Sequence, residues 1–406
     1  MMNPIYVYPN FDYTALPAST PYYITDRALL RRNMEIMQEV QERAKCKILL
    51  ALKAFSTWNF FDDMIPCLAG ASASSIYEAQ LGAETFGPGK ELHVYSPAYT
   101  EMEIRELCKL ADHIVFNSIT QWLKFKEIVK NADHKIEVGL RINPEYSEVR
   151  KEIYNPCTNR SRFGVSAETL VDAGPDALDG IDGFHFHTMC QQGSEVLGRT
   201  LEVFCDRFDK YFHRIKWVNF GGGHDITRMG YDVNRLCSII HDFQDKYNLD
   251  VYLEPGEAHV LHTGFLVATV LDVIENPNGN DVVILDTSAT AHMPDVLEMP
   301  YTPEIRGARR QSEDVDGPLE EGGFKYILGS KTCLSGDVIG EYLFDTPLKV
   351  GDRITLEDMS QYTVCKNTMF NGVQLPSIAS CDSDQENGDY HLIREFNYED
   401  FKGRLS

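Results

Sequence analysis

A lysine closes a short apolar run, Lys47-Ile48-Leu49-Leu50-Ala51-Leu52-Lys53. Runs of this length and composition read as buried strands of a parallel sheet, which puts Lys53 at a carboxyl end. Stripped of water there, a lysine loses its proton and attacks carbonyls as a free amine. Left in water, it packs its stem and solvates its head. Four other stretches hold groups with chemistry of their own. Gly221-Gly222-Gly223 follows Phe220 at the end of a predicted strand, where such a turn either points N–H groups at an anion or simply turns tightly. Glu254 also ends a strand, ahead of Pro255-Gly256-Glu257. A carboxylate there could keep a proton on the ring nitrogen of an aromatic cofactor, or be no more than an acidic strand terminus. His185 and His187 share one strand face; they could ligate a metal with a third partner the sequence does not signpost, stack on a planar cofactor, or sit satisfied in a core. Cys333-Leu334-Ser335-Gly336-Asp337 forms a Gly/Ser-rich loop with a thiol able to donate a proton and a carboxylate able to bind an amine.

Eight strand-like segments, alternating with helical ones, would position these groups. They are the run from Lys47, then Gly70–Ser75, Leu92–Tyr95, His113–Phe116, Ile136–Ile142, Gly183–His187, Trp217–Phe220 and Asp250–Glu254. Such alternation is the pattern of a parallel (β/α)8 barrel, in which chemistry gathers at the carboxyl ends of the strands. Before it, Tyr22-Tyr23-Ile24 and Ile5-Tyr6-Val7-Tyr8 read as short strands. Thr25 or Asp26 caps a helix whose Leu29, Leu30, Met34, Met37 and Val40 make one apolar stripe. Asn59–Leu68 and Gly193–Lys210 read as helices, whereas 143–164 lacks a period. After about Gly264 the pattern turns to strands: Phe265–Glu275, Val282–Asp286, Phe324–Leu328, Asp352–Leu356 and Tyr390–Phe396. Arg306–Gly323 reads as an acidic surface loop. The expected organisation is a barrel over residues 28–264 and a C-terminal β-rich domain over 265–406, completed by N-terminal strands from residues 1–27.

With 38 basic and 61 acidic residues among 406, the chain carries a formal charge of −23. That excludes a phosphate-backbone binder and suits a cationic small molecule. No apolar run approaches the ~20 residues that span a bilayer. The N-terminus has no basic stretch followed by an apolar core, so no secretory signal is expected. The ten cysteines show neither paired nor zinc-ligand spacing, which implies reduced thiols, no metal centre and a cytoplasmic location.

In this order, the pieces resemble the fold-type III pyridoxal-phosphate decarboxylases, a family that joins an alanine-racemase-like barrel to a β-domain and includes ornithine, arginine and diaminopimelate decarboxylases. The resemblance covers nearly the whole chain. It implies pyridoxal 5'-phosphate as cofactor, with Lys53 in the motif that bonds it, His187 against its ring, Gly221–Gly223 at its phosphate and Glu254 at its ring nitrogen. It implies that Cys333 and Asp337 reach the active site of a second subunit in a homodimer, with Cys333 as the proton donor. Tyr362, in Gln361-Tyr362-Thr363, falls in a late phosphate-binding motif, and Arg141 and Arg162-Phe163-Gly164 have family counterparts. Three departures narrow the substrate. Glu257 stands where the family commonly has arginine, Cys190 where a serine is expected near the phosphate, and Leu334 where an acidic residue follows the loop cysteine. Together with Thr287–Asp295, they resemble the members that decarboxylate long, cationic carboxylated triamines. The resemblance then implies Glu257, His292, Asp295, Asp337 and Arg162 as substrate contacts. Diaminopimelate, whose distal carboxylate wants a cation at Glu257, is the alternative substrate. A cofactor-free binding protein is the alternative class.

Overall fold

The computed structural model describes residues 10–310 and 322–406. The Ile5–Tyr8 strand expectation and residues 311–321 of the acidic run lie outside them. The chain divides into two compact units, one built on Arg32–His259 and the other on the described parts of Tyr8–Arg31 and Val260–Ser406.

The order begins with β1 (Tyr22–Asp26) and a helix over Arg27–Ala44. Asp26 caps that helix by accepting the Ala28 N–H at 3.0 Å, and all five stripe residues are buried. Eight strands follow: β2 (Lys47–Ala51), β3 (Gly70–Ala73), β4 (Glu91–Tyr95), β5 (His113–Phe116), β6 (Glu137–Arg141), β7 (Gly183–His185), β8 (Trp217–Asn219) and β9 (Asp250–Leu253). They close into a barrel in chain order, β9 pairing back to β2 in parallel. Each falls on the segment its composition points to, most with shorter ends, β5 unchanged and β4 one residue longer.

The barrel interior is packed around Trp217, which clusters with Leu49, Val115 and Tyr252. Glycines make the room for it. A Cβ at Gly183 would stand 2.1 Å from Trp217 Cδ2, and one at Gly139 2.7 Å from Cη2. Around the barrel, two helical segments differ from expectation. Asn59–Leu68 breaks into turns at Trp58–Phe60, Phe61–Met64 and Ile65–Cys67, because Pro66 has no N–H to continue a helix. A seven-residue helix, Ala167–Ala173, is too short to show a period and is set by its cap, Ser166 accepting the Thr169 N–H.

The second unit holds a nine-stranded sheet. Its further strands are β10 (Gly264–Ile274), β11 (Asp281–Leu285), β12 (Ala308–Arg310), β13 (Phe324–Ser330), β14 (Val338–Phe344), β15 (Arg353–Leu356), β16 (Ser377–Cys381) and β17 (His391–Arg394). The order is β12-β14-β13-β11-β10-β1-β16-β17, with β15 on β10. The N-terminal strand β1 therefore lies inside the sheet, antiparallel to β10 and parallel to β16. Three of these strands were not expected. Ala308–Arg310 falls in the supposed loop and pairs with β14. Val338–Phe344 carries a glycine and a glutamate, and Ser377–Cys381 is, apart from Ile378, made of small residues that look loop-like until the sheet buries them. No described helix is long and apolar enough to cross a membrane, and all ten cysteines are free thiols.

Because the Trp217 indole fills the space that Gly183 leaves, Gly183→Ala is expected to destabilise the barrel by about 1–3 kcal/mol or more through overpacking. Chemical denaturation at equilibrium measures this, and a variant as stable as the parent would contradict it.

Candidate active site

The carboxyl end of the barrel opens into a recess of about 340 Å³ whose lining includes Lys53, Tyr95, Arg141, His185, His187, Gly222 and Glu254. Lys53 stands two residues past β2. Its side chain is open to the recess, while the protein around its ammonium is as dense as an interior. That desolvation, with the Arg141 guanidinium as a second cause, pushes its pKa down from the usual 10.5, and Glu254 opposes the shift. Water in the open recess softens the effect. A ligand that displaces the water strengthens it.

Glu254 stands one residue past β9. Burial alone would push its pKa up. The His185 ring, close by and hydrogen-bonded, outweighs this with help from Asn219 and holds the carboxyl well below the usual range. Asn219 Nδ2 donates to Oε1 at 2.8 Å, and His185 Nε2 donates to Oε2 at 3.1 Å. Burial lowers the His185 pKa while Glu254 opposes that shift, so the two form one coupled buried pair.

The three glycines turn between two backbones. Gly221 (φ 70°) and Gly223 (φ 87°) occupy the left-handed region, and a Cβ on Gly222 would lie 2.3 Å from the Glu254 carbonyl oxygen. Two of the three amides are engaged within the protein: Gly221 N–H donates to Asn219 Oδ1 and Gly222 N–H to His187 Nδ1, each at 2.8 Å. An anion at this turn would use the remaining amide, that of Gly223. The same bond fixes the His187 ring as a neutral Nε2–H tautomer, in keeping with a pKa that burial and then Lys53 lower. Arg141 lies 4.5 Å above the Tyr95 ring and donates to the His187 carbonyl at 3.3 Å.

The other expected residues of this unit are placed as follows. Burial pushes the half-buried Cys190 thiol up to about 11, and Glu257 is its next largest influence. Glu257 Oε1 accepts from Gln191 Nε2 at 2.9 Å. Arg162 is exposed, with its guanidinium 4.4 Å above the Phe163 ring.

In the second unit, Cys333 is exposed and its N–H donates to Asn371 Oδ1 at 2.8 Å. Asp337 is buried and holds its own loop together. It accepts from Ser288 Oγ at 2.7 Å, from Thr290 N–H at 3.0 Å, and from the Ser330 and Thr332 hydroxyls. His292 Nδ1 lies 3.0 Å from Thr287 Oγ1, and burial lowers its pKa to about 4. Asp295 is paired with Lys366. Tyr362 has φ 58°, a strained backbone for a bulky residue and of the kind that concentrates at functional sites.

Sequence reasoning did not include Tyr95, Asn219 or His185 in the site and noted Arg141 only in passing. His185 had a signal, its two-residue spacing from His187, but the partner that decides its role lies 69 residues away. Asn219 looked like an ordinary strand residue. A separate trio at the amino end of the barrel, Glu91, His93 and His113, brings its ligand atoms within 4.8 Å of one another. The two rings stack at 3.8 Å, His93 Nε2 lies 3.1 Å from a Glu91 oxygen and Lys47 pairs with Glu91, while the Nδ1 atoms of both rings are buried without a hydrogen-bond partner.

These residues fit pyridoxal phosphate. An amine whose pKa desolvation lowers faces the recess, together with a buried carboxylate held by two hydrogen bonds, a fixed imidazole and a glycine turn. A family model described as pyridoxal-dependent decarboxylase, C-terminal sheet domain, matches residues 6–360. The chain belongs to the pyridoxal-dependent decarboxylases. It is 44% identical to a carboxynorspermidine/carboxyspermidine decarboxylase of Campylobacter jejuni, over 95% of this chain and 98% of that one. It is 43% identical to a carboxyaminopropylagmatine decarboxylase of Synechocystis, over 97% and 96%. A crystal structure of carboxynorspermidine decarboxylase from C. jejuni, complexed with norspermidine, superposes with a TM-score of 0.86 at 42% identity, covering 95% of this chain and all of that one. A diaminopimelate decarboxylase of Helicobacter pylori shares the fold, with a TM-score of 0.80 at 19% identity and coverage of 96% and 97%.

Lys53 should trap added pyridoxal phosphate ahead of the exposed lysines. Borohydride reduction and peptide mapping check this, with a trapping rate that reaches half its plateau below pH 10.5. Gly222→Ala should weaken cofactor binding at least tenfold, measured by absorbance titration, because its Cβ forces the turn away from Glu254.

Proposed function

We propose that this decarboxylase acts on a carboxylated triamine, carboxynorspermidine or carboxyspermidine, and releases norspermidine or spermidine. The reading is carried by the Lys53–Glu254 recess, set in a chain that aligns end to end with decarboxylases of such substrates. Glu257 agrees with it, as an anion where a diaminopimelate carboxylate would want a cation.

Pyridoxal phosphate supplies an electron sink for the pair left on the α-carbon when carbon dioxide departs. The chain supplies the rest. Lys53 would hold the cofactor through its amine. Glu254, bonded by His185 and Asn219, would keep a proton on the ring nitrogen. His187 would lie against the ring, and Tyr362, Cys190 and the Gly221–Gly223 turn would serve the phosphate. Cys333 donates its thiol proton to the α-carbon, reaching the partner's recess in a cytoplasmic homodimer. Loss of carbon dioxide and gain of one proton convert the α-amino acid end into a primary amine. Glu257, Asp295, His292, Asp337 and Arg162 are the substrate contacts of this reading. At Asp295 a substrate amine would replace Lys366.

Carbon dioxide release by the cofactor-loaded protein tests this, with carboxynorspermidine, carboxyspermidine, diaminopimelate, ornithine and arginine offered in parallel. Turnover of either triamine is expected. Turnover of diaminopimelate alone would refute the substrate assignment. Lys53→Ala should lose both the bound-cofactor absorbance and activity. Cys333→Ala should keep the absorbance and slow product formation by about 10²-fold or more; unchanged kinetics would remove it from the mechanism.

A further inference from the structure

We infer that Asn117 is a positioning residue for the cofactor lysine, acting through the buried guanidinium of Arg141. Asn117 does not line the recess; it fastens two aromatic rings that stand against that guanidinium. This rests on the reading of Lys53 as the amine that bonds the cofactor, and adds a residue that sets how readily it does so.

Asn117 directly follows β5 and is half-buried. Its side chain makes three hydrogen bonds, each of 2.8 Å. Oδ1 accepts from the Tyr95 hydroxyl and from the Gly164 N–H, and Nδ2 donates to the Arg162 carbonyl. An amide offers both acceptor sites and a donor in one plane, whereas an aspartate offers no donor. The loop so held, Arg162-Phe163-Gly164, runs close to β6. Gly164 has φ 78°, and a Cβ there would stand 2.7 Å from the Ile142 carbonyl carbon. Beyond it, Val165 N–H donates to the Arg141 carbonyl at 2.9 Å. Two rings then meet the Arg141 guanidinium, Tyr95 with its centre at 4.5 Å and Phe163 at 4.9 Å. Asn117 holds both of them, Tyr95 by its hydroxyl and Phe163 by the backbone on either side of it.

Arg141 is 5% exposed and lines the same recess as Lys53. A guanidinium stripped of water is attracted to aromatic faces. Held there, it disfavours a second positive charge on Lys53. Once the rings loosen, the guanidinium can turn toward water and oppose the ammonium less. Lys53 also has Glu254, Glu78, Cys190, His185 and His187 around it. The His185 ring meets the same clamp, stacked on Tyr95 at 5.4 Å, so a change at Asn117 must be measured with and without Arg141.

The rate at which the full chain traps added pyridoxal phosphate on Lys53, followed against pH by borohydride reduction and peptide mapping, tests this. Asn117→Leu is close in size and removes all three bonds. It should move the pH of half-maximal rate upward by about 0.5 unit or more, the sign expected when a neighbouring cation is loosened. Tyr95→Phe keeps the ring and deletes one bond; it should shift the profile the same way, and it decides the matter if Asn117→Leu does not fold. In an Arg141→Met background, Asn117→Leu should add no further shift, because the cation it positions is gone. Parent-like profiles in Asn117→Leu and Tyr95→Phe overturn the inference, as does an Asn117→Leu shift of equal size with and without Arg141. Trapping in the parent on lysines other than Lys53 overturns instead the reading of Lys53 beneath it.

Discussion

Placing Glu254 in a barrel interior as a carboxylate costs free energy unless donors replace the water it gives up. The barrel supplies two, His185 on β7 and Asn219 on β8, each at hydrogen-bond distance from a different oxygen. The amide of Asn219 carries no charge, so that donor satisfies the carboxylate without neutralising it. The choice is consequential. A lysine or arginine in the place of Asn219 would satisfy the carboxylate and also neutralise it, removing its reason to hold a proton on anything else. Asn219 further accepts the Gly221 N–H, so one side chain sets both the anion and the start of the glycine turn. The glycine turn, the His187 ring and the carboxylate form one hydrogen-bonded unit, and a displacement at any of them is felt at the others.

Lys53 faces this unit in a state governed by its surroundings. Desolvation and Arg141 favour the free amine, while Glu254 favours the ammonium. The balance makes the lysine responsive to what fills the recess, since a ligand that expels water strengthens the first term, and a cationic ring nitrogen at Glu254 weakens the last. A lysine tuned in this way is reactive toward an aldehyde without being a strong base in the open site.

Much of this was legible in the sequence because a barrel advertises its period. Eight apolar runs separated by helices locate the strands, and the strand ends locate Lys53, Glu254 and the glycine turn. The second unit was less legible. Its sheet inserts β1 between β10 and β16, hundreds of residues away in the chain, and its strand Ser377–Cys381 is recognisable only from the neighbours that bury it. Within the site, residues that react were readable and residues that support them were not. Asn219 and Tyr95 are ordinary strand residues until the closed barrel turns them inward. Asp337 shows the converse: its loop motif pointed to a substrate contact, and the fold has its carboxylate accepting from Ser288, Thr290, Ser330 and Thr332. Such a residue sets the shape of the Cys333 loop.

The chemistry of long polyamines explains why the ends matter most. Carboxynorspermidine and carboxyspermidine differ by one methylene, and a pocket discriminates such a change by only about 1–3 kcal/mol. The difference between an ammonium and a guanidinium is larger in kind, because it changes the number and direction of the donors. A chain of net charge −23 attracts every polycation alike, so the general field cannot select among them. Selection falls to individual carboxylates and to the groups that hold them. Around Glu254 those groups are His185 and Asn219, each holding a different oxygen of the carboxylate.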